Sequence, residues 1–327
     1  MDKSNTVFSY PDKMDEPLFE TVIHQLRRPE SPVDMVLDTD TYNEVDDQYA
    51  LAYMAASQDR LRIRAITAAP FFNHHSKNPR DGMERSYQEI LHVLDLTGFS
   101  SLAPLVLKGA ESFLPDEKTP SDSPAAREII RLAMEHTPEN PLYIACIAAP
   151  VNVASAILLQ PEIASRIVVV WSGGVGLHWT DCHCFNGGQN IAASRVLLES
   201  GAPIVMAPGR GVSDRFLTTG PELEHWLRGK NAFCDYIIDK TIHEAEMCFG
   251  GRVWSRPLTD VVPVAWLVSG DFVLDRFEPR PTIEYSSYFS FDPRRPMMRY
   301  VYYVKRDELM ADLFDKLSTL TCKEESH

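Results

Sequence analysis

The stretch Val33-Asp34-Met35-Val36-Leu37-Asp38-Thr39-Asp40-Thr41-Tyr42-Asn43-Glu44-Val45-Asp46-Asp47-Gln48 decides how this chain is read. A short apolar run ends on two carboxylates, Asp38 and Asp40. Two more, Asp46 and Asp47, follow six residues later, where a helical pattern opens. Counting Glu44, five acidic side chains fall within ten positions. Carboxylates so crowded repel one another unless a cation neutralises them. Hard divalent ions, Ca²⁺ or Mg²⁺, are the natural partners of oxygen-rich clusters. An acidic surface loop fits less well, because Asp38 and Asp40 follow an apolar run directly. The C-terminal end of a strand is where open α/β sheets build their sites.

Outward from that run, apolar segments alternate with amphipathic ones. Strands are expected at 33–37, 61–68, 105–107, 142–147, 167–171 and 204–207. Helices are expected at 46–57, 80–96, 123–135, 151–159 and 191–199; the second repeats Met83, Tyr87, Ile90, Leu91 and Leu94 at helical spacing. Such alternation predicts an α/β fold, a mainly parallel central sheet with helices on both faces. After Pro208 the pattern changes. Helices are expected at 221–227, 231–248, 257–268 and 306–317, with antiparallel strands at 283–289 and 298–304. Residues 113–123, rich in Pro, Asp and Ser, read as a surface loop. The expectation is one domain with a core over about 31–270 and a C-terminal elaboration over about 271–320.

The 327 residues can bury a large core, and 44% hydrophobic with 24% charged residues is the balance of a globular chain. A formal net charge of −14 argues against nucleic acid and anionic membrane as partners. It favours a small or neutral substrate, or one delivered with a metal. Cys146, Cys182, Cys184, Cys234, Cys248 and Cys322 show no disulfide spacing. Residues 1–30 are polar, with no apolar core of signal-peptide length. No segment approaches the ~18–20 apolar residues that span a bilayer. A cytoplasmic location is the expectation.

An Asp-x-Asp after a strand has two well-known uses. Val36-Leu37-Asp38-Thr39-Asp40-Thr41 fits the nucleophile motif of haloacid-dehalogenase-like phosphatases, in which the first Asp attacks phosphorus and the second is acid and base. Gly270-Asp271-Phe272-Val273-Leu274-Asp275 even resembles that family's later metal motif. This reading leaves Asp46-Asp47 unexplained and finds no marked lysine; Lys230 and Lys240 lie on helix-like stretches.

The second use fits more of the chain. Asp38-Thr39-Asp40 followed by Asp46-Asp47-Gln48-Tyr49-Ala50-Leu51 resembles the signature of the inosine–uridine-preferring nucleoside hydrolases, with two extra residues in the loop. Five further segments match that family in order. Strand 61–67 leads to Asn73. Ala149-Pro150-Val151-Asn152 resembles the Gly-Pro-Leu-Thr-Asn turn. Val168-Val169-Val170-Trp171-Ser172-Gly173-Gly174 resembles a strand with a double glycine. Phe185-Asn186 resembles Glu-Phe-Asn, and Pro257-Leu258-Thr259-Asp260 resembles Pro-Leu-His-Asp. Each is weak alone; in sequence order they are strong.

The resemblance implies a hydrolase that cleaves the N-glycosidic bond of a ribonucleoside or related riboside, in base salvage, as a homodimer or homotetramer. Ca²⁺ is the implied ion, ahead of Mg²⁺. Asp40 would be metal ligand and general base, Asp47 a bidentate ligand, and Asp260 with the Val151 carbonyl would complete the shell. Asp46, Asn73 and Asn186 would hold ribose hydroxyls, and Asp38 would orient the ligands from behind. The chemistry agrees: N-glycoside hydrolysis passes through an oxocarbenium-like transition state and needs an activated water, a held sugar and a stabilised leaving base.

Three positions depart from the pattern. Thr259 replaces the His linked to the leaving base, Cys184 replaces the Glu that grips the sugar's 5′ end, and Asn190 stands where an Asp is usual. His74, His75, His178 or His183 is expected to substitute for the lost His, with His178 or Trp179 near the 5′ end. Trp254 leads Trp179 and Phe72 as an aromatic wall for the base. A riboside-binding protein of weak turnover is a further alternative. Asp181-Cys182-His183-Cys184 invites a zinc reading, but no second Cys/His cluster pairs with it, so a loop beside the pocket is preferred.

Overall fold

The computed structural model describes residues 16–321; Cys322 and the polar residues 1–15 lie outside them. In chain order the elements are α1 (Glu16–Gln25), β1 (Val33–Thr39), α2 (Asp46–Ala55), β2 (Leu61–Ala68), α3 (Pro79–Leu96), β3 (Val106–Lys108), α4 (Pro124–Met134), β4 (Leu142–Cys146), α5 (Val151–Leu159) and β5 (Ile167–Trp171). Then come α6 (Phe185–Gln189), α7 (Ile191–Glu199), β6 (Ile204–Met206), β7 (Leu217–Thr218), α8 (Gly220–Trp226), α9 (Ala232–Phe249), β8 (Arg256–Pro257), α10 (Val261–Val268), β9 (Val273–Pro279), β10 (Thr282–Ile283), β11 (Phe289–Ser290), β12 (Met297–Val304) and α11 (Arg306–Ser318).

Eight strands form the central sheet in the order β3-β2-β1-β4-β5-β6-β12-β9. All neighbours are parallel except β9, which runs antiparallel to β12 at one edge. The inner strands β4 and β5 are buried at every residue, as a sheet covered on both faces demands. Helices α4, α5 and α7 pack side by side, while α2 packs with α3, α10 and α11. Both α2 and α10 are buried along their whole length, so their apolar residues encircle them rather than forming a stripe.

Local chemistry sets the helix ends. Asn78, Ser123 and Asn231 cap α3, α4 and α9 by accepting the backbone N–H three residues on, and Pro79 and Pro124 open the first turns. Helix α9 stops at Gly250, whose φ of 57° suits glycine.

The strand order reverses at β1. The chain runs outward from β1 to β3, then returns to lay β4 on the other side of β1. A crevice opens beyond the carboxyl ends of strands at such a switch point. Asp38 pairs in register with Cys146 there, and the Ile147 amide bonds the Asp38 carbonyl at 2.8 Å. Asp40 and Val151 follow these two strand ends.

The C-terminal expectation needs correction. Residues 283–289 do not pair with 298–304. The antiparallel partner of β12 is β9, whose first three residues end the string that resembled a phosphatase metal motif, while β10 and β11 form a ribbon of their own. Residues 283–289 belong to that short ribbon and its turn. Helix α10 begins at Val261, four residues later than the pattern suggested, because Arg256 and Pro257 are taken up by β8. No described helix is long and apolar enough to cross a membrane.

Candidate active site

The site is built on the loop that joins β1 to α2. Asp40 leaves β1 and its carbonyl accepts the Asn43 amide at 2.7 Å, which turns the chain. The helix then starts on Asp46 and Asp47 with no side-chain cap. Acids in a first turn suit the positive end of the helix dipole, but here both are buried. Asp47 Oδ1 accepts from Thr39 Oγ1 at 2.6 Å, and Asp46 Oδ2 accepts from Thr259 Oγ1 at 2.7 Å and from the Asp260 amide at 3.3 Å.

The remaining oxygens have no such partners. Both oxygens of Asp40, Oδ1 of Asp46, Oδ2 of Asp47 and Oδ1 of Asp260 are buried without a hydrogen bond. Single ligand atoms of Asp46, Asp47 and Asp260 lie within 4.8 Å of one another. Burial first, and then the neighbouring carboxylates, push Asp40, Asp47 and Asp260 well above the usual carboxylate range; Asp260 is the neighbour that acts most on Asp40. Four hidden carboxyl groups with open lone pairs fit a hard divalent cation, which satisfies oxygen donors and cancels their repulsion.

Asp38, two residues before Asp40 and equally buried, is treated differently. Its Oδ1 accepts from Thr67 Oγ1 at 2.7 Å and Asn152 Nδ2 at 2.8 Å, and its Oδ2 faces Cys146 Sγ at 3.6 Å. Burial outweighs these bonds and raises its carboxyl to about 6. Gly109 lets Asn152 close in, since a Cβ there would stand 2.5 Å from the amide nitrogen. A carboxylate held on both oxygens is poorly placed to attack phosphorus. Asp275, from the other half of the phosphatase pattern, is bound to Arg28 and Arg299 and accepts from Trp266 Nε1 at 2.8 Å. The phosphatase reading finds no support.

Above the acidic floor opens a cavity of about 740 Å³. Asp46 and Asp260 reach it from below, and Asn186, Cys184, Arg210, Phe249, Arg256 and Thr259 are among its walls. Asn186 donates Nδ2 to the carbonyls of Ile147 at 3.0 Å and Ser172 at 2.8 Å, which fixes it across the ends of β4 and β5. Asn73 donates to Asn43 Oδ1 at 2.6 Å, and Asn43 lines the cavity. Val151, fully buried, opens α5 beside the same strand ends.

Two expected wall residues sit elsewhere. His178 lines a separate cavity of about 410 Å³ with Arg276 and Tyr300. The Trp254 ring packs on Gly220, where a Cβ would meet it at 3.1 Å, and it is absent from the cavity wall. Cys184, in the place of the Glu, accepts the amides of Gly174 at 3.1 Å and Gly187 at 3.2 Å through Sγ and caps α6. His183 pairs with Asp181 at 3.1 Å, and neither joins Cys184 in a metal-sized group among the described residues. Sequence reasoning missed Phe249, Arg256 and Arg210. Only Arg256 carried a signal, one residue before the Pro257-Leu258-Thr259-Asp260 element.

Comparison with known proteins places the fold. Solved structures share the fold, three nucleoside hydrolases among them. A plant nucleoside hydrolase, PpNRh1, is 16% identical with a TM-score of 0.70, covering 88% of this chain and 99% of its own. The purine-preferring ribonucleoside hydrolase from Gardnerella vaginalis is 22% identical with a TM-score of 0.67, covering 89% and 100%. The inosine-uridine preferring nucleoside hydrolase from Bacillus anthracis is 14% identical with a TM-score of 0.60, covering 88% and 100%. No curated protein matches the chain in sequence. The family model described as inosine-uridine preferring nucleoside hydrolase matches residues 35–304, nearly the whole described chain. The chain therefore belongs to the inosine–uridine-preferring nucleoside hydrolase family, enzymes that hydrolyse N-glycosyl bonds.

Proposed function

We propose that the protein hydrolyses the N-glycosidic bond of a ribonucleoside or related riboside, with Ca²⁺ held on Asp40, Asp47, Asp260 and the Val151 carbonyl. The observation that carries this reading is the set of five buried carboxylate oxygens, on Asp40, Asp46, Asp47 and Asp260, that no donor meets. All the side-chain donors are hard oxygens, which favours calcium over softer ions. A bound cation would supply a more acidic water and a grip on vicinal ribose hydroxyls.

The chain's own residues do the rest. Asp40 has two uncommitted oxygens, so one can face the ion while the other takes a proton from the attacking water. Asp46 keeps Oδ1 free for a sugar hydroxyl or the ion, because Thr259 and the Asp260 amide hold Oδ2. Its place in the group with Asp47 and Asp260 also supports a share in the metal shell. Asn186, fixed across two strand ends, and Asn73, tied to the wall through Asn43, support roles in holding the sugar. Asp38 acts behind them: with Oδ1 held by Thr67 and Asn152 and Oδ2 facing Cys146, it stiffens the turn that presents Asp40.

One observation favours a second reading, a riboside-binding protein of weak turnover. Thr259, at the position of the family's His, spends its hydroxyl on Asp46. A base-release assay over a nucleoside panel decides between the two. Free base and ribose should appear with Ca²⁺, stop with chelator, and return when the ion is restored. Tight riboside binding with no release of base would establish the second reading instead.

A further inference from the structure

We infer that Arg256 stabilises the departing base, the task that Thr259 leaves open; this rests on the hydrolase reading above. The cavity has an acidic floor, and Phe249, Arg256, Pro257 and Thr259 are among the residues that line it. Phe249 ends α9 and is 39% exposed, a large ring turned toward the cavity rather than the core. An aromatic ring and a guanidinium lining one cavity suit a flat heterocycle with acceptor atoms on its edge.

Arg256 is unusually uncommitted for a hidden cation. Its side chain is 12% exposed, and the two-residue ribbon of β8 with β7 fixes its backbone. Its nearest carboxylate oxygen, on Glu244, is 3.6 Å from Nη2, beyond hydrogen-bond reach. Its Nε is buried and meets no acceptor. Arg306 shows the usual solution, with Nη2 at 2.6 Å from both oxygens of Glu222. A mostly hidden guanidinium whose Nε meets no acceptor is costly unless a ligand brings one.

Three other donors on the wall are already engaged. Thr259 bonds Asp46. His183 is 62% exposed and pairs with Asp181. Arg210 stacks on Trp179 at 4.5 Å and donates to the His183 carbonyl at 2.7 Å. Arg256 keeps free donor capacity with little competition from water.

The step balances without a titrating acid. The bond from C1′ to the base nitrogen breaks, and its electron pair stays on the base. The water oxygen bonds C1′ while Asp40 takes the proton. A guanidinium keeps its own protons at any working pH, so Arg256 donates hydrogen bonds to the charge developing on the base. The base then takes its proton from solvent. This is preorganised electrostatic stabilisation, and it matters more the poorer the leaving group.

The test compares two leaving groups on Ca²⁺-loaded enzyme. One is the nucleoside that the wild type cleaves fastest. The other is 4-nitrophenyl riboside, whose nitrophenolate leaves with little help. For Arg256→Gln, kcat on the nucleoside should fall by about 100-fold or more. On the nitrophenyl riboside the fall should be smaller by about tenfold or more. Arg256→Lys, which keeps the charge, should recover part of the nucleoside rate, and it carries the same comparison if the Gln variant does not fold. Equal losses on both substrates, or no loss on the nucleoside, overturn the role of Arg256 alone. A wild type inert toward both substrates overturns the hydrolase reading and this inference with it.

Discussion

Asp275 on β9 and Asp40 beyond β1 are equally hidden from water, yet they are treated in opposite ways. Asp275 is met by the guanidinium groups of Arg28 and Arg299 and by the indole N–H of Trp266. Asp40 is met by no donor at all, and its nearest charged neighbours are other carboxylates. At the sheet edge the fold neutralises its own buried charge. At the switch point it leaves the charge open, a cost sustained only if something bound completes it. The same contrast runs along a single strand end, where Asp38 is bonded on both sides and Asp40 is not.

The strongest way to break the contrast is to neutralise the open member. Asp40→Asn keeps the shape of the side chain but removes both the base and a charged ligand. Base release should fall by about 10³-fold or more. The cation-free protein should become more heat-stable, because one uncompensated charge has gone. A variant that keeps most of its activity would mean that Asp40 is no more functional than Asp275.

The closed member should behave the other way. Asp275→Ala strands two partly buried arginines and an indole donor. It should cost about 3–5 kcal/mol of stability in urea denaturation, with kcat per folded molecule unchanged. A cost below about 1 kcal/mol, the range of surface pairs, would show that Asp275 is no structural counterpart to the floor.

The sequence made the open centre easier to see than the closed one. Asp38, Asp40, Asp46 and Asp47 lie within ten residues, and a short apolar run before them and a helical pattern after them marked the elements on either side. The parallel core from β1 to β6 was legible because short apolar segments, unbroken in β4 and β5, alternate with helical patterns. The pairing of β9 with β12 was not. Residues 273–279 mix Asp, Arg and Glu with Val and Phe, because an edge strand carries the ion pairs that close its rim. Phe249 and Arg256 were harder still. They reach the cavity from the end of α9 and from a two-residue ribbon, which no periodicity marks. His178 and Trp254 were misplaced because position near a motif in the chain says little about which cavity a loop side chain enters.

The gentlest test sharpens the contrast through pH. Burial, reinforced by neighbouring carboxylates, raises Asp40, Asp47 and Asp260 in the folded chain, and burial raises Asp38 to about 6. Unfolded aspartates release their protons near pH ~4. Above that value the folded cation-free protein still holds protons that the unfolded chain has lost. Its stability therefore falls as pH rises, through about 6 for Asp38 and further for the floor. The satisfied Asp34, lowered by Arg62 and Arg64 against its burial, contributes the opposite sign and loses stability only in acid. With chelator present, Tm should decline between about pH 5 and 7. Saturating Ca²⁺ should flatten or invert that slope, since the ion binds the ionised carboxylates better as protons leave. It should add about 2.7 kcal/mol at a hundredfold excess over Kd. Calorimetric traces with the same pH slope in chelator and in Ca²⁺ would show that the four floor aspartates are not a cation site, and the difference between Asp40 and Asp275 would then lack its explanation.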